Sequence, residues 1–244
     1  MAAVSALGFG IFFLVSLAIG LRLVATAKRT RRSPELLVGI GILCIGPLGM
    51  GCILVGAVLR HFQLEAAVPT ALGLIAVCAG SVAGCLFNWH VFRPDSGRAR
   101  SWVFGTVLAY GLAFGLELGT TAFADPLQLG PGGKLIAALC SANLLWGGGE
   151  SLRYYVLMRR RLRLGLADPL VTNRFLLWGL GIGAAGLGSL VAALVQAISG
   201  FSASEMPLVT LSNSLFGLAS AVLMWIAFVP PAAWRRYLLG TADA

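Results

Sequence analysis

The ionisable and polar side chains that lie inside the apolar stretches of this chain are its candidates for chemistry. Only 11% of the 244 residues are charged, and an ionisable group inside a bilayer costs roughly 2.5–3.5 kcal/mol near the centre. A group retained there needs a partner or a function. Counting residues inward from the ends of the apolar stretches, at about 1.5 Å per residue, sorts these side chains into two groups by depth.

The outer group combines one carboxylate with neutral polar side chains on four stretches. Thr106, Tyr110 and Glu117 fall on one stripe of a helix, which faces inward if the helices form a compact bundle. The group predicts a small polar pocket open to the outside, with Glu117 as its anionic or proton-titrating member. The alternative is interhelical hydrogen bonding that only holds the bundle together. The predicted pocket residues are Tyr110, Glu117, Asn143, Gln196, Ser212 and Asn213.

The inner group centres on Glu150 and Arg153, which are three residues apart and therefore neighbours on one helix face. It predicts a salt-bridged network that joins the third, fifth and sixth spans and neutralises Glu150 where water is scarce. Such a network can act as a switch if its breakage lets the helices shift. The alternative is a static ion pair, with arginines that extend to the headgroups. The predicted network residues are Asn88, His90, Glu150, Arg153, Asn173 and Arg174.

Several reactions lack the residues that they need. Lys28 and Lys134 are the only lysines and both lie in loops, so no intramembrane amine is present for a retinal Schiff base. His61 and His90 lie near opposite faces of the membrane, which argues against paired-histidine haem ligation. The five cysteines all lie within apolar stretches and match no metal-binding spacing. We therefore predict a protein that is not an enzyme and that holds no metal or cofactor.

Seven apolar stretches are predicted to carry these residues, each longer than the about 18 residues that a membrane-crossing helix needs. Hydrophobic residues make up 58% of the chain. The prediction is an all-α fold, in which residues 1–244 form one polytopic domain of seven transmembrane helices. Cleavage of the first stretch as a signal peptide after Ala27 is a minor alternative. The predicted spans are about 2–27, 35–59, 67–92, 101–123, 135–158, 170–199 and 206–229.

The positions of the basic residues predict the orientation. One alternating set of connecting segments contains thirteen basic residues, whereas the opposite set contains only Arg60 and Lys134. Under the positive-inside rule the first set is cytoplasmic, which places the N-terminus outside and the C-terminus in the cytoplasm. The net charge of +9 thus predicts contact with the lipid bilayer and its anionic lipid headgroups, and not with nucleic acid. The thirteen residues are Lys28, Arg29, Arg31, Arg32, Arg93, Arg98, Arg100, Arg159, Arg160, Arg161, Arg163, Arg235 and Arg236.

Two glycine-containing patterns predict helix geometry. Gly111, Gly115 and Gly119 repeat every four residues on the fourth span, a spacing typical of a close helix-packing face. We favour a contact inside the bundle over a homodimer contact for this face. Pro47, next to Gly46 in the middle of the second span, predicts a kink, because proline removes a backbone hydrogen bond that lipid cannot replace.

Three short segments, Arg163–Leu170, Asn173–Trp178 and Val229–Arg236, resemble segments of uncharacterised bacterial seven-helix membrane proteins, including the membrane input regions of sensor proteins. The resemblance implies a sensory role in a bacterial inner (plasma) membrane. It also implies signal transduction to a separate cytoplasmic partner through the basic loops. Arginine outnumbers lysine sixteen to two, which is typical of a GC-rich genome.

The sequence therefore predicts a non-enzymatic membrane sensor or receptor-like module. A small-solute or proton-coupled transporter or channel is the main alternative, because glycine- and proline-interrupted spans often form binding sites in the middle of the membrane. The interruptions would be Gly46–Pro47 and Gly147–Gly149. A structural subunit of a membrane complex is the second alternative, with the glycine face of the fourth span as its docking surface.

Overall fold

The computed structural model describes residues 2–199 and 206–239, and these residues form helices without any strand. Two segments are π-helical: Cys44–Met50 joins α2 to α3, and Asn88–Phe92 extends α4. The helices are α1 (Ala2–Thr30), α2 (Ser33–Leu43), α3 (Gly51–His61), α4 (Ala67–Phe87), α5 (Gly97–Thr121), α6 (Pro131–Arg163), α7 (Pro169–Ser199), α8 (Pro207–Phe228) and α9 (Ala232–Leu239).

Six helical segments within the described ranges are long and apolar enough to cross a membrane. The prediction of an all-helical, multi-pass membrane protein is thereby confirmed. The six segments are Leu7–Thr30, Ser33–His61, Ala67–Phe92, Gly97–Thr121, Pro169–Gln196 and Pro207–Phe228. The remaining predicted span, 135–158, lies inside α6, which is 33 residues long but contains Asn143, Glu150 and Arg153 among its apolar residues.

The interruption predicted at Pro47 is present as the π-helical segment Cys44–Met50. Proline lacks the N–H that the α-helical hydrogen-bond ladder requires, and one wide turn accommodates this loss without ending the helix. Gly49 lies in the same turn, and an added Cβ there would come within 2.6 Å of the Val77 side chain. The wide turn therefore packs directly against α4.

The interior of the bundle has two apolar clusters. In one, Tyr110, Ala113 and Phe123 from α5 and the segment after it pack against residues of α4 and α6. In the other, Ile19 of α1 and Trp178 of α7 pack with residues of α2 and α8. Helix α6 contacts α4, α5 and α7, so it lies inside the bundle and not at its edge.

The glycine face of α5 points away from the bundle. A Cβ added at Gly111, Gly115 or Gly119 would meet nothing within 4 Å, and these glycines lie among exposed leucines such as Leu112. Within the described ranges, this face therefore does not make the internal helix contact that the sequence favoured. Other glycines bring α5 and α6 together, and they lie at the start of α6.

Candidate functional site

Glu117 caps the start of α6. Its side chain is 1% exposed, and both carboxylate oxygens accept hydrogen bonds from backbone N–H groups at that helix start. Gly130 donates to Oε1 at 2.8 Å and Gly133 donates to Oε2 at 2.6 Å. The hydroxyl of Thr121 also donates to Oε1, at 2.8 Å. Every oxygen of this intramembrane carboxylate thus has a partner.

The electrostatics of a helix start favour a hydrogen-bond acceptor such as a carboxyl group there. The first N–H groups of a helix have no partner within it, and the helix dipole places partial positive charge at this end. Gly132 allows the close approach, because a Cβ there would overlap the carbonyl oxygen of Ala113 and the amide nitrogen of Glu117. Glu117 therefore joins α5 to α6.

Tyr110 and Asn143 belong to a second buried cluster, one that joins three helices. The Asn143 amide nitrogen donates to Ser81 of α4 at 2.9 Å and to the Tyr110 hydroxyl at 3.4 Å. Its carbonyl oxygen accepts from the indole N–H of Trp102 at 2.9 Å. The Tyr110 hydroxyl donates to Ser81 at 2.7 Å. Both the nitrogen and the oxygen of the Asn143 amide thus have partners, as a buried polar group requires.

Gln196 and Asn213 lie on the wall of a central cavity of about 340 Å³, which we call the Gln196 cavity. Its other polar wall residues are few and include Ser189 and Lys134, whereas most of the wall is formed by apolar side chains and glycine. The side chains of Gln196 and Asn213 make no hydrogen bond with another described residue. Gln196 of α7 and Asn213 of α8 therefore share a cavity, but Glu117 and Tyr110 do not line it.

A smaller cavity of about 100 Å³ lies next to the first, and we call it the Asn88 cavity. The two cavities have wall residues in common, which are Phe12, Ile45, Leu144 and Ala185. Asn88 is 3% exposed, and its side chain makes no hydrogen bond within the described ranges. Asn143 and Trp178 line the same cavity. A buried amide thus faces an almost entirely apolar space.

Ser212, the last predicted pocket residue, donates to the carbonyl oxygen of Val209 at 2.9 Å and lines neither cavity. The structure thus divides the predicted pocket. Glu117 caps a helix, Tyr110 and Asn143 form an interhelical cluster, and only Gln196 and Asn213 lie together on the wall of the larger cavity.

Glu150 forms the predicted ion pair, but its main partner is an arginine outside the predicted network. Arg93 places Nη2 2.8 Å and Nε 3.0 Å from Glu150 Oε1, whereas Nη1 of Arg153 lies 3.5 Å from Oε2. The Glu150 side chain is 11% exposed and that of Arg93 is 39% exposed. The hydrogen bond from Arg93 to Glu150 raises the pKa of this guanidinium. The pair connects α6 to the end of the π-helical segment after α4.

The other predicted network residues lie apart from this ion pair. Arg174 donates to the carbonyl oxygen of Ala227 at 3.2 Å, and Asn173 lines a pocket beside it. The ring of His90 stacks on Trp89, with 4.7 Å between the ring centroids. The sixth predicted span therefore does not join Glu150 in the described structure.

Sequence reasoning missed Ser81, Trp102 and Arg93. Serine and tryptophan are common in membrane helices, so neither stood out, and Arg93 was interpreted only as one of the basic residues of a loop. The signal that could have identified Arg93 was its closeness in sequence to Asn88, a predicted member of the network. Arg93 follows Asn88 by five residues, directly after the end of the same span.

The described residues contain no cluster of three or more histidine, cysteine, aspartate or glutamate side chains that would hold a metal ion. Comparisons of the chain with models of protein families, with curated proteins and with solved structures find no match.

Proposed function

We propose that this chain is a non-enzymatic sensor or receptor-like module of the inner membrane, which binds a small, mostly apolar molecule at the centre of its bundle. The observation that carries the proposal is the pair of adjoining cavities, of about 340 and 100 Å³, with the unpaired amide of Asn88 on the wall. Ligand sites are typically largely apolar, with a few polar groups that fix the orientation of the ligand.

The chemistry of the walls defines the class of ligand. Apolar side chains such as Phe12, Ile45 and Leu144 line both cavities, so the body of the ligand is apolar. One hydroxyl, carbonyl or amide group on the ligand would pair with Asn88, whose amide loses hydrogen bonds to water on burial and regains none from the described residues.

A route from the cavity to the charged end of the bundle supports a sensory role. Asn88 is the first residue of the π-helical segment that ends at Phe92, and Arg93 follows directly, paired with Glu150. Single π-helical turns are frequent at functional sites. A ligand that changes the hydrogen bonding of Asn88 would shift this turn and with it the Arg93–Glu150 pair, which is the differential contact that population shift requires.

The proposal includes seven crossings, with the N-terminus outside and the C-terminus in the cytoplasm. Helix α6 supplies the seventh. Its start at Gly133 is bonded to Glu117 near the end of α5, and Glu150, seventeen residues later, pairs with Arg93 just before α5 begins. Gly133 and Glu150 are roughly 25 Å apart along α6. Helix α6 therefore runs beside α5 for most of the length of α5. If α5 crosses the bilayer, α6 crosses it too.

Cavity filling tests ligand binding. Ala185 lines both cavities, whereas Leu187 on the same helix is 44% exposed and lines neither. We expect Ala185→Phe, purified in mild detergent, to lose the small molecules that mass spectrometry detects with the wild-type protein, and we expect Leu187→Phe to keep them. The same bound molecules at the same occupancy in both variants would refute the cavity as the binding site.

Reporter fusions test the orientation. A cytoplasmic reporter after residue 239 is expected to be active, and an enzyme that works only outside the cell is expected to be inactive there. The opposite pattern would reverse the orientation and remove the cytoplasmic basic surface through which a separate signalling partner would be contacted.

A transporter is the second candidate, and one observation favours it. The π-helical turn Cys44–Met50 contributes Ile45 and Gly46 to the cavity wall, and interrupted helices often form midplane sites in transporters. Uptake of the identified molecule into vesicles that contain the purified protein would support transport. Binding without uptake would support the sensor.

The open glycine face of α5 would be the docking surface if the chain is a structural subunit of a complex or forms a homodimer. Both alternatives stay predictions. Co-purification of a second protein at fixed stoichiometry, lost when Gly115 is changed to Leu, would support this alternative. A control is Gly149→Leu, at an exposed glycine of α6 that also has open space around it.

A further inference from the structure

Three arginines from three different helices meet at one pocket of about 290 Å³. Arg22 comes from α1, Arg174 from α7 and Arg235 from α9. The pocket lies where α7 begins and α8 ends, and α9 covers one side of it with Trp234. The pocket shares no wall residue with either central cavity, so its role is separate from the proposed ligand site.

None of these arginines has a carboxylate partner in the part of the chain that the structure describes. The ion pairs found there involve Arg60, Arg93 and Arg153, and no aspartate or glutamate lines the pocket. Three positive charges therefore face one space without a compensating negative charge.

Two of the arginines lie inside membrane-spanning segments. Arg22 is eight residues before the end of α1 and Arg174 is five residues after the start of α7, which correspond to roughly 12 and 7 Å of helix. Intramembrane arginines are costly and almost always pair with another group. Arginine side chains can extend to the headgroups singly, but here they converge from separate helices on one pocket.

Arg174 is held in position by α8. Its Nε donates to the carbonyl oxygen of Ala227 at 3.2 Å, and the guanidinium carbon lies 6.0 Å from the centre of the Phe228 ring. These two contacts hold the guanidinium beside α8, and neither of its terminal nitrogens has a hydrogen-bond partner among the described residues. Such a planar group matches the oxygens of a phosphate.

We propose that this pocket binds a phosphate-bearing anion, with Arg22, Arg174 and Arg235 as its ligands. Basic pockets between helices at the inner membrane surface are suited to anionic headgroups. A cavity needs about 10–15 Å³ of accessible volume to hold one water molecule, so a pocket of about 290 Å³ has room for a glycerophosphate headgroup. The same chemistry would hold a soluble phosphate compound, and the experiment separates the two sources.

The test uses the full chain in a neutral detergent, with phosphatidylglycerol, phosphatidylcholine and sodium phosphate as probes. Native mass spectrometry and thermal stabilisation report binding. We expect phosphatidylglycerol to bind and stabilise the protein, and phosphatidylcholine, which has no net charge, to bind at least tenfold more weakly. If sodium phosphate alone binds or displaces the lipid at millimolar concentration, the phosphate source is soluble; if it does neither, the source is the lipid.

The variants are Arg174→Gln and Arg235→Gln, each expected to weaken binding about tenfold, which corresponds to about 1.4 kcal/mol. The control is Arg160→Gln, in the exposed basic run at the end of α6, expected to change binding less than twofold. Arg235 is exposed on α9, so its variant tests the proposal even if Arg174→Gln does not fold. Equal binding by Arg235→Gln, Arg160→Gln and wild type, or no binding of any anionic probe, would overturn the proposal.

Discussion

Replacing Glu117 by glutamine is expected to loosen the start of α6 without changing the shape of the side chain. The carboxylate accepts three hydrogen bonds, from the N–H groups of Gly130 and Gly133 and from the Thr121 hydroxyl. Glutamine has one acceptor oxygen. Its NH₂ group would face the N–H of Gly133, which lies 2.6 Å from Oε2 in the wild type, or in the flipped rotamer the N–H of Gly130.

The size of the effect follows from this geometry. At least one buried backbone N–H loses its acceptor, which costs about 1–3 kcal/mol. The interaction of the negative charge with the helix start is also lost, and in partly buried geometries this is worth up to about 2 kcal/mol. Because Glu117 is 1% exposed, little solvent screening reduces either contribution. We expect Glu117→Gln to lower the free energy of unfolding by roughly 2–4 kcal/mol.

The assay is unfolding in mixed micelles, followed by hydrogen exchange at residues 130–134 in mild detergent. Glu65→Gln, at an exposed loop position, is the control and is expected to unfold like the wild type. Exchange at the start of α6 should become faster in Glu117→Gln alone. A Glu117→Gln protein with wild-type stability and wild-type exchange would refute the capping role. That result would favour the role predicted from the sequence, in which Glu117 is the proton-titrating member of a pocket.

The remaining predictions concern the other contacts that position α6. Asn143→Ala removes the acceptor of an indole N–H and two further hydrogen bonds, and is expected to destabilise the protein by about 2–4 kcal/mol in the same unfolding assay. Arg93→Gln should destabilise more than Arg153→Gln, because the first lies closer to the carboxylate that they share; equal effects would contradict this order. Gly132→Ala should destabilise strongly, since its Cβ would overlap the backbone of α5, whereas Gly115→Ala, with open space around it, should be within about 0.5 kcal/mol of wild type.

The sequence was sufficient to predict the helices and most of their bounds. Apolar stretches and basic connecting segments have a one-dimensional signature, so the predicted spans 67–92 and 170–199 differ by at most one residue from the helical segments Ala67–Phe92 and Pro169–Ser199. The interruption of the second span at Pro47 was also predicted correctly, because the loss of a backbone N–H is a local property.

The candidate site was predicted less well, because depth along a helix does not specify the direction of a side chain. Glu117 and Asn143 were grouped by depth, yet they bond to different partners. The glycines of α5 show the same limit. A spacing of four residues at Gly111, Gly115 and Gly119 indicates that one helix face lacks side chains, but it does not indicate whether another helix covers that face. None of the described helices does.

Hydrogen-bond satisfaction separates the structural polar residues from those available for binding. Glu117 and the Asn143 amide have protein partners on each polar atom, so a ligand that bonded to them would first have to break contacts that hold α6 in place. The side chains of Asn88 and Gln196 have no such contacts with described residues, and each of them lines one of the two central cavities. A ligand gains most where it restores a hydrogen bond that burial has removed, which is why the proposed recognition falls on Asn88 and not on the intramembrane carboxylate.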